Sequence, residues 1–245
     1  MIQGMGGLMS ITGERDDLPG GGPQKAGVAV TDIITGMYAT VAILAALQER
    51  NRSGLGQHLD IALLDSHISM LANQNLNFMT SGEAPTRAGN AHQNVVPYQV
   101  FKASDGYLIL AVGNDSQFRS FARAIGKPEL GTDPKFATNR MRVTHRDELI
   151  PMLETIILTG KRDDWIDRME VAGVPCGPIQ SIDQVFAHPQ VKYRKIWQTV
   201  PHPVAGTSPT TASPMRFSAT PVQYRRHAPM LGEHTQEILT ELLGR

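Results

Sequence analysis

One segment near the start of the chain is apolar around most of its circumference if it is helical. Thr31 and Asp32 offer an N-cap, and apolar residues then recur at helical spacing as far as Leu47. Those on its several faces are Val30, Ile33, Ile34, Met37, Val41, Ile43, Leu44 and Leu47. A helix that is apolar on all sides requires burial on all sides. We therefore expect a buried helix over about 31–48, ended by a charged turn.

No membrane span, secretion signal or nucleic-acid partner is expected. The most apolar stretch, Ile33 to Leu47, is shorter than the roughly 20 residues that cross a bilayer, and it contains Gly36 and Tyr38. Residues 1–10 lack the basic region and long apolar core of a signal peptide. The 23 Lys and Arg residues balance 23 Asp and Glu residues, so no net charge favours nucleic acid. Cys176 is the single cysteine, which predicts a reducing, cytoplasmic location.

Local patterns predict a mixed arrangement of helices and strands. Alternation predicts a strand over 57–63, and helical spacing predicts a helix over about 64–78. A long polar loop follows, and a hairpin is then predicted from strands over 98–103 and 107–112. Further helices are expected near 115–125, 145–158, 162–172 and 233–243.

The common short motifs of catalysis and metal binding are missing. There is no P-loop, no CxxC, no HxxxH or HExxH, and no Gly-x-Ser-x-Gly elbow. The eight histidines are dispersed along the chain, and we expect no metal site. Cys176 follows a Val-Pro turn with no adjacent cation, so we interpret it as a small buried apolar residue.

Five longer segments of the chain carry a family resemblance. The segments are Gln3 to Gly13, Gly54 to Asp65, Gly89 to Gly106, Ala172 to Val191 and Ala228 to Thr235. In this order they resemble CoA-transferase family III, which includes formyl-CoA transferases and carnitine CoA-transferases and has α-methylacyl-CoA racemase as a relative. The first reads QGMGGLMSITG and the fourth contains AGVPCGPI followed by VFAHPQV. Each segment is weak alone, but together they cover nearly the whole chain.

The resemblance implies an α/β fold with two domains. A large Rossmann-like domain is built from both chain ends, and a small α+β domain is inserted between them. On that pattern, residues 1–55 end the first half of the large domain, 56–175 form the small domain, and 176–245 are a linker and the C-terminal return to the large domain. The resemblance also implies an interlocked homodimer in the full-length form.

The resemblance also implies nucleophilic chemistry. An aspartate attacks an acyl-CoA, and an aspartyl-CoA thioester then passes CoA to a free carboxylic acid. In the family this aspartate lies in a Gly-Tyr-Asp motif just ahead of the segment that begins here at Gln3. We therefore expect the nucleophile upstream of Met1 and the chain to be N-terminally truncated. The CoA thioester is a substrate, and no covalently bound cofactor is expected.

Four residues are candidates for the rest of the site. Gly89, Asn90 and His92 occupy the place of the family's lid loop, with Gly89 as a hinge and Asn90 and His92 as donors to an acyl or carboxylate oxygen. The alternative is a plain surface connection. Gln3 either hydrogen-bonds near the nucleophile or packs at the start of a helix.

Two other functions remain open beside transfer of CoA between an acyl-CoA and a free mono- or dicarboxylic acid. A racemase of the same fold needs two bases around the α-carbon. The loop offers His92 but no Asp or Glu between Arg87 and Val96, which favours transfer. The other alternative is an inactive fragment or partner subunit.

Overall fold

The computed structural model describes residues 1–244, and they divide into two compact units. The first unit is Met1–Pro178 and the second begins at Ile179. The predicted boundaries at residues 55 and 175 concern the domains of a longer family fold, and they stay a prediction.

The first unit opens with two single-turn helices and one long helix. Helices α1 (Ile2–Met5) and α2 (Leu8–Ile11) are joined at Gly7, whose φ of +93° suits glycine. A glycine-rich loop leads to α3, Val30–Ser53, which ends at Gly54 in the left-handed conformation. The expected charged turn is the last turn of α3, where Arg52 pairs with Glu49, so the helix extends five residues beyond the predicted end near residue 48.

Helix α3 is largely exposed, so the prediction of a buried helix is wrong for residues 1–244. Thr31 is its only buried residue within the described chain, while Val41 and Leu44 are more than 60% exposed. The reason is that the described chain packs mainly one neighbour, α4 (Leu63–Met70), against it. The rest of its apolar surface has no cover from residues 1–244.

The length of α3 also corrects one premise about membranes. Its 24 residues include an 18-residue window of mean hydropathy 1.7, of which 6% is buried. By length and composition it could cross a bilayer, a criterion that core helices of soluble proteins and signal sequences also meet. Helix α3 is therefore longer than the apolar segment predicted from the sequence, and the expectation that it is too short to span a bilayer is wrong. The absence of a membrane span stays a prediction.

The region after α3 differs from the sequence pattern. Residues 57–62 form no strand, because no neighbouring segment within residues 1–244 pairs with them. The single helix predicted over 64–78 is two helices, α4 and α5 (Asn73–Ser81). Ala72 interrupts them with a φ of +49°, which an α-helix does not accommodate.

A three-stranded antiparallel sheet forms the centre of the first unit. Strands β1 (Tyr98–Lys102) and β2 (Tyr107–Ala111) form the predicted hairpin, with Val100 opposite Ile109. Strand β3, Cys176–Pro178, pairs with the other edge of β2. The hairpin prediction is confirmed because the alternation in these strands matches one buried and one exposed face.

Four helices share one core with this sheet. They are α6 (Asp115–Ala124), α7 (Asn139–Thr144), α8 (Arg146–Ile157) and α9 (Arg162–Val171). Helices α8 and α9 contact the strands, α6 packs on α9, and α7 packs on α8. Asn114 caps α6 by accepting a hydrogen bond of 2.9 Å from the Gln117 N–H. The core residues are Val96, Phe101, Leu108, Leu110, Phe118, Phe121, Phe136, Leu149, Leu153, Ile157, Trp165, Met169 and Val174.

The second unit is smaller and contains one hairpin. Helices α10 (Ile182–Ala187) and α11 (Pro189–Tyr193) precede strands β4 (Trp197–His202) and β5 (Gly206–Thr211), which pair antiparallel. A long irregular segment leads to the last helix, α12 (Thr235–Leu243).

Candidate functional site

The loop over residues 86–94 is fixed to the glycine-rich segment that precedes α3. Gly89 donates its N–H to the Gly13 carbonyl at 3.1 Å. Arg87 donates to the Ser10 carbonyl at 3.2 Å and forms an ion pair with Asp16. Two parts of the chain more than 70 residues apart therefore form one wall.

Gly89 occupies a position that a side chain would not fit. Its φ is +61°, and an added Cβ would lie 2.7 Å from the nearer carboxylate oxygen of Glu14. That oxygen also accepts the Arg15 N–H at 2.9 Å. Glycine is thus needed both for the backbone conformation and for the close approach of Glu14. Its role as a hinge stays a prediction.

The ring of His92 is held on two sides. Its Nδ1 accepts the Asn94 N–H at 3.0 Å, and its ring stacks on Tyr98 with centroids 5.2 Å apart. The backbone N–H of His92 also donates to the Tyr98 carbonyl at 2.8 Å. A neutral imidazole whose Nδ1 accepts carries its proton on Nε2. Neutral His92 in this arrangement has Nε2 as its ring donor, and donation to an acyl or carboxylate oxygen stays a prediction.

The side-chain amide of Asn90 links the loop to β1. Its Oδ1 accepts the Val100 N–H at 2.9 Å, which ties the loop to β1. The donor of the Asn90 side chain is its Nδ2 amide group. Gln93 also braces the loop, because its Nε2 donates to the Thr86 carbonyl at 2.6 Å.

Arginines from α7 and α8 hold the far end of the loop. Nη2 of Arg146 donates to the carbonyls of His92 and Gln93 at 2.7 and 2.8 Å. The fully buried Arg142 donates to the Val96 carbonyl at 2.6 Å and to Asp115 at 2.9 Å. Burial lowers the pKa of Arg142, and the Asp115 carboxylate acts in the opposite direction. The sequence patterns identified neither arginine.

A cleft of about 820 Å³ lies beside this loop. Its walls come from residues 14–18, from the loop itself and from α8, and they include Asn90 and Gln93. The charged residues on its walls are Glu14, Arg15, Asp16, Asp17, Arg87, Arg146, Asp147 and Glu154. Asn90 lines the cleft, whereas His92, two residues further along the loop, does not. The volume is within the usual range for small-molecule sites.

Gln3 does not line this cleft. Its Oε1 accepts the Ala26 N–H at 2.8 Å, and its Nε2 donates to the Val28 carbonyl at 3.1 Å. Both ends of the amide therefore brace the start of the chain against the residues before α3. A further contact with a nucleophile stays a prediction.

A buried histidine, His67, joins α4 to the start of α3. His67 is completely buried, and its Nδ1 lies 2.6 Å from the hydroxyl of Thr31. A Cβ on Gly6 would come within 2.2 Å of the imidazole ring, so this glycine makes room for His67. The imidazole Nε2 has no partner among residues 1–244.

The thiol and the acidic groups give no sign of metal or thiolate chemistry within residues 1–244. Burial raises the pKa of Cys176 to about 11, which keeps the thiol protonated at neutral pH. No cluster of three or more His, Cys, Asp or Glu residues in the described chain is placed to hold a metal ion.

The sequence pattern of CoA-transferase family III matches residues 1–235. The chain belongs to CoA-transferase family III. This confirms the resemblance inferred from the five segments, each of which lies wholly within the matched range.

Several proteins named as CoA-transferases are similar to the chain. It is 46% identical over 242 residues to the succinate–glutarate CoA-transferase of Agrobacterium fabrum, covering 99% of this chain and 60% of the relative. It is 37% identical over 237 residues to the human succinyl-CoA:glutarate CoA-transferase, covering 97% of this chain and 53% of the relative. The chain thus spans between half and two thirds of these relatives.

Solved structures of other proteins agree with the fold. A CaiB/BaiF family protein of Brucella suis superposes with a TM-score of 0.79 at 45% identity, covering 99% of this chain and 62% of that protein. A Mycobacterium tuberculosis protein superposes with a TM-score of 0.80 at 22% identity, covering 96% and 61%, and it shows the fold alone. The α/β fold class of CoA-transferase family III is therefore confirmed.

Proposed function

We propose that this family III protein takes part in transferring CoA between an acyl-CoA and a small dicarboxylic acid. The observation that carries the proposal is the 46% identity, over 99% of the chain, to an enzyme named for succinate and glutarate. The second close relative is named for the same pair of acids. The CoA thioester is a substrate in this proposal, and no covalently bound cofactor takes part.

The proposed reaction uses a carboxylate nucleophile. It attacks the thioester carbonyl and forms a mixed anhydride while the CoA thiolate leaves. The thiolate then attacks the enzyme's own acyl carbon, which releases the first acid and leaves an enzyme–CoA thioester. The acceptor carboxylate reverses these two steps, so CoA moves to the acceptor and the enzyme carboxylate is regenerated.

The nucleophile in this proposal is the aspartate of the family's Gly-Tyr-Asp motif, a sequence that does not occur in residues 1–245. The present chain supplies the loop at 86–94, whose tethers favour a fixed wall beside the intermediates. Both intermediates hydrolyse readily, so excluding water is a chemical necessity. Gly89 permits the backbone conformation, and His92 and Asn90 supply donors.

The proposal extends to the assembly and its location. The resemblance to the family implies a homodimer in the full-length form, and we include it in the proposal. The uncovered apolar surface of α3 is suited to burial against a further segment or subunit. One cysteine with a protonated thiol suits a reducing cytoplasm. The balanced charge gives no electrostatic case for nucleic acid and does not exclude an anionic ligand, so the proposal names acyl-CoA and a small acid as partners, with neither nucleic acid nor membrane.

A transfer assay with a chimaera tests the proposal. The part of the Agrobacterium relative that precedes the matched segment is fused ahead of Met1, and succinyl-CoA is mixed with glutarate. We expect the chimaera to form one succinate for each glutaryl-CoA. The isolated chain, and a control chimaera with Asn in place of the motif aspartate, should form neither product.

Two results would count against it. A folded chimaera without turnover would contradict the proposed activity. Turnover by the isolated chain would leave the activity standing and reject the upstream aspartate as nucleophile, so a carboxylate within residues 1–245 would have to be sought.

A further inference from the structure

Arg146 differs from the other arginines of the cleft. Arg15 and Arg87 each form an ion pair with an aspartate, whereas Arg146 forms none with residues 1–244. Its Nη2 donates to the two loop carbonyls, and no residue of the described chain accepts from its Nε or Nη1. Burial lowers the pKa of Arg146, partly opposed by Asp147 and reinforced by the positive charge of Arg15.

The acidic residues of the cleft are mostly engaged elsewhere. Asp17 and Asp147 contact Arg15 at 2.7 and 3.3 Å, and Asp16 pairs with Arg87. Glu14 accepts a backbone N–H and packs on Gly89. Glu154 lies eight residues further along α8, a rise of about 12 Å from Arg146. The charge of Arg146 is thus left without a carboxylate in contact.

We propose that Arg146 binds the second carboxylate of the dicarboxylic acid, the one that does not react with CoA. This inference rests on the proposed function and names the group that distinguishes a dicarboxylate from a monocarboxylate. A guanidinium with free N–H groups on the wall of a cleft is a strong donor to a carboxylate, because a charge-assisted hydrogen bond exceeds a neutral one. Asn90 lines the same cleft and presents its amide Nδ2 as a second donor.

Arg146 also supports the loop, so its replacement has two separable consequences. Losing the hydrogen bonds to His92 and Gln93 would weaken every ligand that contacts the loop. Losing the charge would weaken a ligand that carries a second carboxylate more than one that carries a single carboxylate. The preference for a dicarboxylate over its monoamide, which keeps only one carboxylate, therefore isolates the binding role from the supporting role.

The test compares two ligands on the 245-residue chain by titration calorimetry or NMR. Glutarate carries two carboxylates, and its monoamide, glutaramate, replaces one with a neutral amide of similar shape. We expect the wild-type chain to prefer glutarate by about 10- to 100-fold, the range for one charge-assisted hydrogen bond. Arg146→Gln should reduce the preference to less than about threefold, and Arg146→Lys should keep part of it.

Arg140→Gln is the matched control, because Arg140 is an exposed arginine on the neighbouring α7 and does not line the cleft. It should keep the wild-type preference. The proposal is overturned if Arg146→Gln retains the preference, if it weakens both ligands equally, or if the wild-type chain shows no saturable binding. Binding is measured without turnover, so binding through Arg146 in a chimaera that transfers no CoA would reject the proposed function alone.

Discussion

Replacing Arg142 with Met should destabilise the first unit strongly. The guanidinium is fully buried and donates to three acceptors, the carbonyls of Val96 and Phe136 and the carboxylate of Asp115. It also lies 4.3 Å from the centre of the Phe118 ring. Methionine keeps an apolar stem of similar length but provides no donor, so all three acceptors lose this partner.

The size of the effect follows from what is left unpaired. The two carbonyls lose this donor in a buried setting, and each such loss costs about 1–3 kcal/mol. Asp115 contributes less, because its side chain is 41% exposed and it still accepts the Asn139 N–H at 2.8 Å. We therefore expect the free energy of unfolding to fall by about 2–5 kcal/mol.

Urea unfolding followed by tryptophan fluorescence measures this change. The chain has two tryptophans, and Trp165 lies in the core of the first unit, so a Trp197→Phe background leaves one reporter for that unit. Arg140→Met, on the same helix and exposed, is the control and should change stability by less than about 0.5 kcal/mol. A loss below about 1 kcal/mol for Arg142→Met would refute the reasoning.

Three other predictions concern the loop, the thiol and the exposed helix. His92→Ala in the chimaera should lower the transfer rate by about 10- to 1000-fold with little change in melting temperature, and an unchanged rate would reduce the loop to a connection. Cys176 should react with a thiol reagent at pH 8 about a hundredfold more slowly than free cysteine, because burial raises its pKa to about 11. The rate should rise as the pH approaches that value, and a rate equal to that of free cysteine would contradict the burial. Sedimentation should show that the chain self-associates through the exposed apolar surface of α3, and Leu44→Glu should reduce the association. A monodisperse wild-type monomer would contradict association through α3.

The hairpin was predictable from sequence because its signals are local. Strands β1 and β2 alternate buried and exposed residues, and a Ser104–Gly106 turn joins them. The helices α6, α8 and α9 were also predicted within one or two residues, because each carries apolar residues at helical spacing.

The errors arise where tertiary structure overrides a local pattern. The alternation over 57–63 resembles a strand, but a strand also needs a partner, and none pairs with it in residues 1–244. The break at Ala72 was missed because alanine favours helix and gives no warning of a positive φ. Residues 1–244 do not provide the burial expected for α3, because burial depends on what packs against a helix, which periodicity does not reveal.

The candidate site was found only in part. A glycine in a long polar loop pointed to Gly89, whose positive φ the structure shows. Arg146 and Arg142 were missed because they meet the loop from 46 to 54 residues away in sequence. Arginines in α7 and α8 look like ordinary surface charges, and only their contacts with loop carbonyls distinguish them.

The most direct test of the proposed chemistry is the intact mass of the chimaera after a single turnover. The protein is mixed with succinyl-CoA alone, quenched with acid and weighed by mass spectrometry, while released succinate is counted. We predict one succinate per active site and a protein heavier by CoA less one water, with the label on the aspartate of the Gly-Tyr-Asp motif. Steady transfer to glutarate without any covalent CoA on the protein would contradict the enzyme thioester.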